Sequence, residues 1–348
     1  MKRLAPQNVL SLIIVLLVGA FVSAQAAPKD PTARWIKQPP ATIVAGTTTI
    51  VVLPDTENYA WKYPEMFYAQ TKWIAQEAKR RNIVYTIHLG DITQHNNQKQ
   101  WTVARRSFAM LDGKVPYALV PGNDDYDDLV DKDWDKLRGS SKINRFFDPA
   151  VIAKWPTFGG FYQPHRLENT FHLFRMHDRD WMILCLEMGA RDQVIDWAHK
   201  ILSKHRDRRT IVVTHAYLFR DNKRYDHRNG RERASPHPWG NDGEELWQKL
   251  IKKHANVMMV LSGHVSTGGL GYRADAGDRG NVVHQMMCDY QKKKKGGLAY
   301  LRMLEFAPDR ETVQVRTYSP YTEKVRFSKL EHFKFKLKDA PQAGTSRE

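Results

Sequence analysis

The chain has 348 residues, a formal net charge of +16 and only two cysteines. That length holds at least one large domain with a full hydrophobic core, and so few cysteines without CxxC spacing exclude a cysteine-based zinc site. The surplus of Lys and Arg draws the chain toward anionic partners (phosphate esters, nucleotides, polyanions, lipid headgroups) without choosing among them.

In chain order, Met1-Lys2-Arg3 is followed by an apolar run over residues 9–22 and by Ser23-Ala24-Gln25-Ala26-Ala27. A charged start, an apolar stretch and a small-residue cleavage site predict a signal peptide over residues 1–26, and hence a secreted or periplasmic protein. Cleavage lowers the formal charge to about +14. No later stretch is apolar enough, over the roughly 20 residues required, to span a membrane. Prolines 28, 31, 39 and 40 mark residues 27–46 as an extended linker.

From Thr47 strand-like and helix-like patterns alternate. Strands are expected at 48–54, 82–89 and 115–120, with helices at about 64–81 and 97–112 between them. Residues 123–180 read as a long functional loop or insertion. Then come a strand at 181–187, a helix at 192–205, a strand at 210–214, a basic loop at 219–239, a helix at 243–254 and a strand at 256–262. Runs at 281–290, 298–306 and 311–318 suggest three more strands, forming a second sheet packed on the first. One α/β domain is therefore expected over residues 47–338, with a disordered tail at 339–348. Cys185 and Cys288 sit inside apolar strand-like runs, where unpaired packing is expected.

Five metal-affine side chains follow runs that read as buried strands: TIVVLPD ends at Asp55, IVYTIHLGD at Asp91, VPYALVPGN at Asn123, TIVVTH at His215 and NVMMVLSGH at His264. Open α/β sheets deliver their chemistry beyond the carboxyl ends of such strands. A lone aspartate there is commonly a helix cap and a lone histidine a packed residue; five in one chain point to a metal-dependent hydrolase. Mixed oxygen and nitrogen donors suit Mn, Fe or Zn. Glycine beside the ligand in Gly90-Asp91, Gly122-Asn123 and Gly263-His264 lets the chain turn sharply at the strand end.

This order of motifs resembles the calcineurin-like metallophosphoesterase superfamily, whose pattern is DxH, GDxx, GNHD/E, H and GHxH. The strings LPDTENY, THAYL, GNVVHQMMCDYQ and TYSP are similar to a secreted bacterial branch of it. The resemblance covers about residues 47–320 and implies a four-layer α/β/β/α sandwich of two mixed sheets, with two divalent metal ions at one end. It implies that Asp91 bridges the ions, that Asn123, His215 and His264 complete one site, and that Asp55 begins the other. A hydroxide shared by the metals would then attack phosphorus in line.

Three positions depart from the pattern. Glu57 replaces the histidine of DxH and Ser266 the second histidine of GHxH. Both fall on the Asp55 site, which is expected to be weaker, harder in ligand character, or completed by water or by another side chain such as His95 or His237. Asp124 replaces the histidine that assists the leaving group, and beside two cations its pKa should be low.

Other features are read more simply. Arg220, Lys223, Arg224, His227, Arg228, Arg231 and Arg233 form either an electrostatic funnel for substrate or a solvated loop, and Lys292 to Lys295 read as a solvated turn. Trp101, Trp197 and Trp247 read as core, Tyr59, Tyr126 and Trp239 as pocket-lining, and His88 as structural. The expected activity is an exported, metal-dependent phosphoesterase acting on phosphomonoesters or phosphodiesters. The alternatives are a nucleotide phosphodiesterase or nuclease, and a catalytically weakened scaffold that binds anionic ligands.

Overall fold

Residues 34–127, 134–229, 240–267 and 269–341 are described by a computed structural model. The predicted signal peptide, Arg231, Arg233, His237, Trp239 and most of the predicted tail lie outside the described residues.

Strand Thr48–Leu53 shows how the layers arise. Its side chains alternate in direction, so Ile50 and Val52 enter one apolar cluster while Val51 and Leu53 enter another. A strand buried on both faces needs a layer on each side. In the first sheet it lies between Leu301–Phe306, antiparallel, and Ile83–His88, parallel, with Tyr117–Ala118 parallel beyond. Thr312–Ser319, Lys324–Phe327 and Arg34–Lys37 extend the other flank, and His332–Lys336 pairs with Thr312–Ser319. The second sheet runs, in spatial order, Leu270–Ala276, Val282–Cys288, Val257–Ser262, Arg209–Val213, Arg179–Cys185, Thr170–Met176 and Phe158–Phe161.

The inner cluster joins the sheets through Ile50, Val52, Ile87, Ile183, Ile211 and Val213, each side chain contributing about 1.5–3 kcal/mol on burial. Helices Pro64–Glu77 and Gln98–Phe108 cover the first sheet with Phe67, Ile74, Trp101 and Phe108. Asp192–Lys204 and Gly243–Lys249 cover the second with Val194, Ala198, Leu202 and Trp247. The helix starts are chemically specified. Asn97 Oδ1 accepts from Gln100 N at 3.1 Å, and Asp242 forms a reciprocal capping box with Glu245. The result is the expected α/β/β/α sandwich.

Several expectations need correction. Residues 123–180 are not one loop: they carry the short helices Trp134–Gly139, Ile143–Phe146 and Pro149–Ile152 and two strands of the second sheet. Thr170–Met176 and Arg179–Cys185 form a hairpin whose turn, His177-Asp178, has φ of 50° and 57°. Two positive φ values suit a tight hairpin turn, but His-Asp lacks the Asn-Gly signature that would have announced it. The three late strands also divide: Val282–Cys288 joins the second sheet, whereas Leu301–Phe306 and Thr312–Ser319 join the first. All three are largely buried, so apolar periodicity gave no basis for assigning them to a sheet. Within the segment read as a linker, Arg34–Lys37 pairs antiparallel with Lys324–Phe327. Cys185 and Cys288 are free and buried.

Candidate metal centre

Two sets of parallel strands deliver their loops to one place. Thr48–Leu53, Ile83–His88 and Tyr117–Ala118 lead to Asp55, Asp91 and Asn123. Arg209–Val213, Val257–Ser262 and Val282–Cys288 lead to His215, His264 and Asp289. Backbone bonds lace the loops together: Thr56 N donates to Asp91 O at 3.0 Å and Gly263 N to His215 O at 2.8 Å.

His215 lies at the middle of the first half of the centre. Its Nδ1–H donates to Leu89 O at 2.8 Å, which leaves the Nε2 lone pair facing the site. Around Nε2 stand Asp91 Oδ2 at 3.1 Å, His264 Nδ1 at 3.1 Å and Asn123 Oδ1 at 3.2 Å. The Asn123 amide is turned that way by donating its Nδ2–H to Asp124 Oδ1 at 2.8 Å. Four lone-pair groups thus converge, and spacings of about 3 Å are what metal bonds of about 2.1 Å produce.

The second half is made of carboxylates. Oxygens of Asp55, Glu57 and Asp91 lie within 4.8 Å of one another, all three residues being buried. Asp55 Oδ2 accepts from His264 N at 2.9 Å, but Asp55 Oδ1 and Glu57 Oε2 are buried without a hydrogen-bond partner. Orphaned buried carboxylate oxygens are costly unless a cation satisfies them. The residues of both halves therefore fit divalent cations.

The electrostatics agree. Burial, followed by the charges of Asp289, Asp91 and Glu57, raises Asp55 well above its ordinary value. Burial, then Asp91, Asp124 and Asp289, pushes Glu57 up to about 12. Burial alone would raise Asp91 too, but His215, His264 and the Asp124 N–H outweigh it and hold Asp91 low. Asp124 is pushed up to about 7 by burial and then by Asp91. The low value expected of Asp124 presupposed two neighbouring cations; among the side chains alone its neighbours are largely carboxylates.

Close packing explains the glycines. A Cβ on Gly122 would lie 2.1 Å from Asp91 Oδ1, and one on Gly263 would lie 2.1 Å from Asp55 Oδ1. Asp91 and His264 themselves sit at φ of 48° and 74°, a conformation costing non-glycine residues about 1–3 kcal/mol each.

All seven residues singled out for the site from sequence (Asp55, Glu57, Asp91, Asn123, Asp124, His215 and His264) are brought together. Two others were missed. Asp125 accepts from Ile92 N, Thr93 N, Thr93 Oγ1 and Gly122 N at 2.8–3.0 Å, clamping the Asp91 loop to the Asn123 loop. Its signal was the acidic final position of GNHD/E. Asp289 is buried, with its carboxylate held by Gln291 N at 2.7 Å and Gln291 Nε2 at 3.0 Å. It too ends a buried strand.

Other side chains are placed elsewhere. His95 packs edge-on against Trp61, with ring centroids 5.1 Å apart. His88 is structural, contacting Thr56 Oγ1 and Gly90 N, and burial pushes it down to about 3. Tyr59 is buried, its hydroxyl accepting from Ala299 N. A cavity of about 430 Å³ opens over the centre, walled by Asp124, Ser266, Phe219, Arg220 and Lys292. Of the basic loop, Arg224 is instead locked to Glu244 and Asp275, and Arg228 to Asp226. Lys292, expected in a solvated turn, is part of the cavity wall.

Two mixed sheets with helices outside and a strand-end acid and imidazole cluster define the metallo-dependent phosphatase architecture. Residues 48–268 match the calcineurin-like phosphoesterase family, and the chain belongs to it. It is 34% identical over 284 residues to the Bacillus subtilis protein YvnB, covering 79% of this chain and 20% of that one. The chain therefore spans about a fifth of that relative's length. Among solved structures, a purple acid phosphatase from yellow lupin shares the fold at a TM-score of 0.50 and 14% identity, covering 86% of this chain and 55% of that one. A dimetal phosphatase from Danio rerio aligns at a TM-score of 0.49 and 11% identity, over 83% of this chain and 99% of that one.

Proposed function

We propose that the protein is an exported, metal-dependent phosphoesterase that hydrolyses phosphomonoesters or phosphodiesters. The observation that carries this reading is the set of lone-pair groups around His215 Nε2: Asp91 Oδ2, His264 Nδ1 and Asn123 Oδ1, all at 3.1–3.2 Å. Two divalent ions, when bound, supply a nucleophilic water at neutral pH and positive charge for the phosphoryl oxygens.

The chain's own residues do the rest. Asp91 faces both halves and fixes their separation. Leu89 O holds the His215 tautomer, and Asp124 orients Asn123. Arg220 and Lys292 add positive charge to the cavity wall, and among the described residues neither is paired with an acid. Beside bound cations Asp124, at the leaving-group position, would be ionised and would donate no proton, which would favour esters with good leaving groups or a proton supplied by water or by another histidine. Export rests on the charged start, apolar run and small-residue site of residues 1–26; the mature chain is expected to begin at Ala27.

The test is turnover of p-nitrophenyl phosphate and bis-p-nitrophenyl phosphate with manganese, before and after chelation. Turnover that chelator removes is expected. No turnover of either ester by metal-loaded protein would overturn the reading and leave anionic-ligand binding on a weakened scaffold. The basic cavity wall favours a second reading, a nucleotide phosphodiesterase or nuclease. A steep fall in DNA affinity with rising salt would support it.

A further inference from the structure

We propose that the two halves of the centre hold different metals: the Asp55–Glu57–Asp91 position, backed by Asp289, takes a hard cation of the magnesium class, and the Asn123–His215–His264 position takes a borderline ion such as zinc. This rests on the reading of the chain as a metal-dependent phosphoesterase.

The donor atoms carry the argument. One half offers two imidazoles, an amide oxygen and Asp91. The other offers only carboxylates, because Glu57 and Ser266 stand where the sequence pattern calls for histidines. Among the described residues no nearby imidazole makes up the difference: the His95 ring leans on Trp61, both His88 nitrogens have partners, and the His264 ring faces His215. Imidazole suits zinc and iron, whereas carboxylate, carbonyl and water suit magnesium, calcium and manganese.

Asp289 strengthens the contrast. Gln291 orients both its oxygens and itself lines the cavity together with Glu57, and the Asp289 charge is among those that raise Asp55 and Glu57. Among the described residues, no Lys or Arg pairs with Asp55, Glu57 or Asp289. Three buried carboxylates, Asp55, Glu57 and Asp91, thus offer oxygens within 4.8 Å of one another, with Asp55 Oδ1 and Glu57 Oε2 left without a hydrogen-bond partner. Asp289 acts here as a positioning residue, adding negative charge behind the ligands.

The test is calorimetry on chelator-stripped protein, titrated with one equivalent of zinc and then with magnesium or manganese, with metals counted by mass spectrometry. One tight zinc and one independently bound magnesium or manganese are expected. Asp289→Asn should leave the zinc step unchanged, which also reports an intact fold, and weaken the second step about tenfold. Glu57→His should let a second zinc displace magnesium. Two zinc ions bound alike by the unaltered protein, or an Asp289→Asn second step of unchanged affinity, would overturn this inference alone. Failure to bind any divalent ion would overturn the phosphoesterase reading with it.

Discussion

Around His215 Nε2 stand an imidazole, an amide oxygen and a carboxylate; at the Asp55 position the clustered donors, among the described residues, are the carboxylates of Asp55, Glu57 and Asp91. Both halves are built alike, from loops at the ends of parallel strands, with a glycine whose missing Cβ leaves room for a ligand oxygen. Yet one half has its charges partly balanced within the protein, while the other gathers negative charge without a counter-charge. Shared backbone architecture therefore fixes where the ligands stand, and the side chains fix what they can hold.

Asp91 belongs to both halves, so breaking it erases the comparison. Asp91→Asn should remove about 4 kcal/mol of transition-state stabilisation, on the order of a thousandfold in kcat/KM, with an unchanged circular dichroism spectrum. Activity within a few-fold of the parent would refute its shared role.

The glycines separate the halves. Gly122→Ala drives a Cβ into Asp91 Oδ1 and Gly263→Ala drives one into Asp55 Oδ1, while Gly139→Ala meets nothing within 4 Å. Displacing a ligand by about 1 Å costs on the order of a hundredfold in rate. Steady-state kinetics should show such a loss for the first two and none for the third. Metal counting should show that Gly263→Ala spares the zinc step.

Asp125→Ala leaves the N–H groups of Ile92, Thr93 and Gly122 without their acceptor. Denaturant titration should show a loss of about 3 kcal/mol.

The smallest effect is a pH dependence. Burial is the largest cause that pushes Asp124 and Asp125 up to about 7 and Asp289 up to about 6. Unfolded carboxyls titrate near about 4. From roughly pH 4 to 7 the folded, metal-free chain thus holds more protons than the unfolded one, and its stability falls as pH rises. Metal ions displace those protons, so the gain in Tm on adding manganese should be larger at about pH 7.5 than at about pH 5. An equal gain at both would show that the carboxylates are not the groups relieved.

Much of this was legible in the sequence because buried strands and their terminal ligands are local patterns. TIVVLPD and NVMMVLSGH each announce a strand and its chemistry within a few residues. What was not legible depends on partners distant in sequence. The Thr170–Met176 hairpin turns on His-Asp rather than a glycine pair, and the sheet joined by Leu301–Phe306 is decided by pairing with Thr48–Leu53. Asp289 is the instructive miss. It follows the apolar run VVHQMMC as Asp55 follows TIVVLP and lies within the string GNVVHQMMCDYQ, but it matches none of the five superfamily motifs. Its tie to the centre appears only in the fold, where Gln291, which holds it, lines the cavity with Glu57.

The most direct test of the centre is an anomalous difference map from a crystal of the protein soaked in manganese. One peak among Asp91, Asn123, His215 and His264 and a second among Asp55, Glu57 and Asp91 are expected. A map with no peak between these side chains would contradict the account.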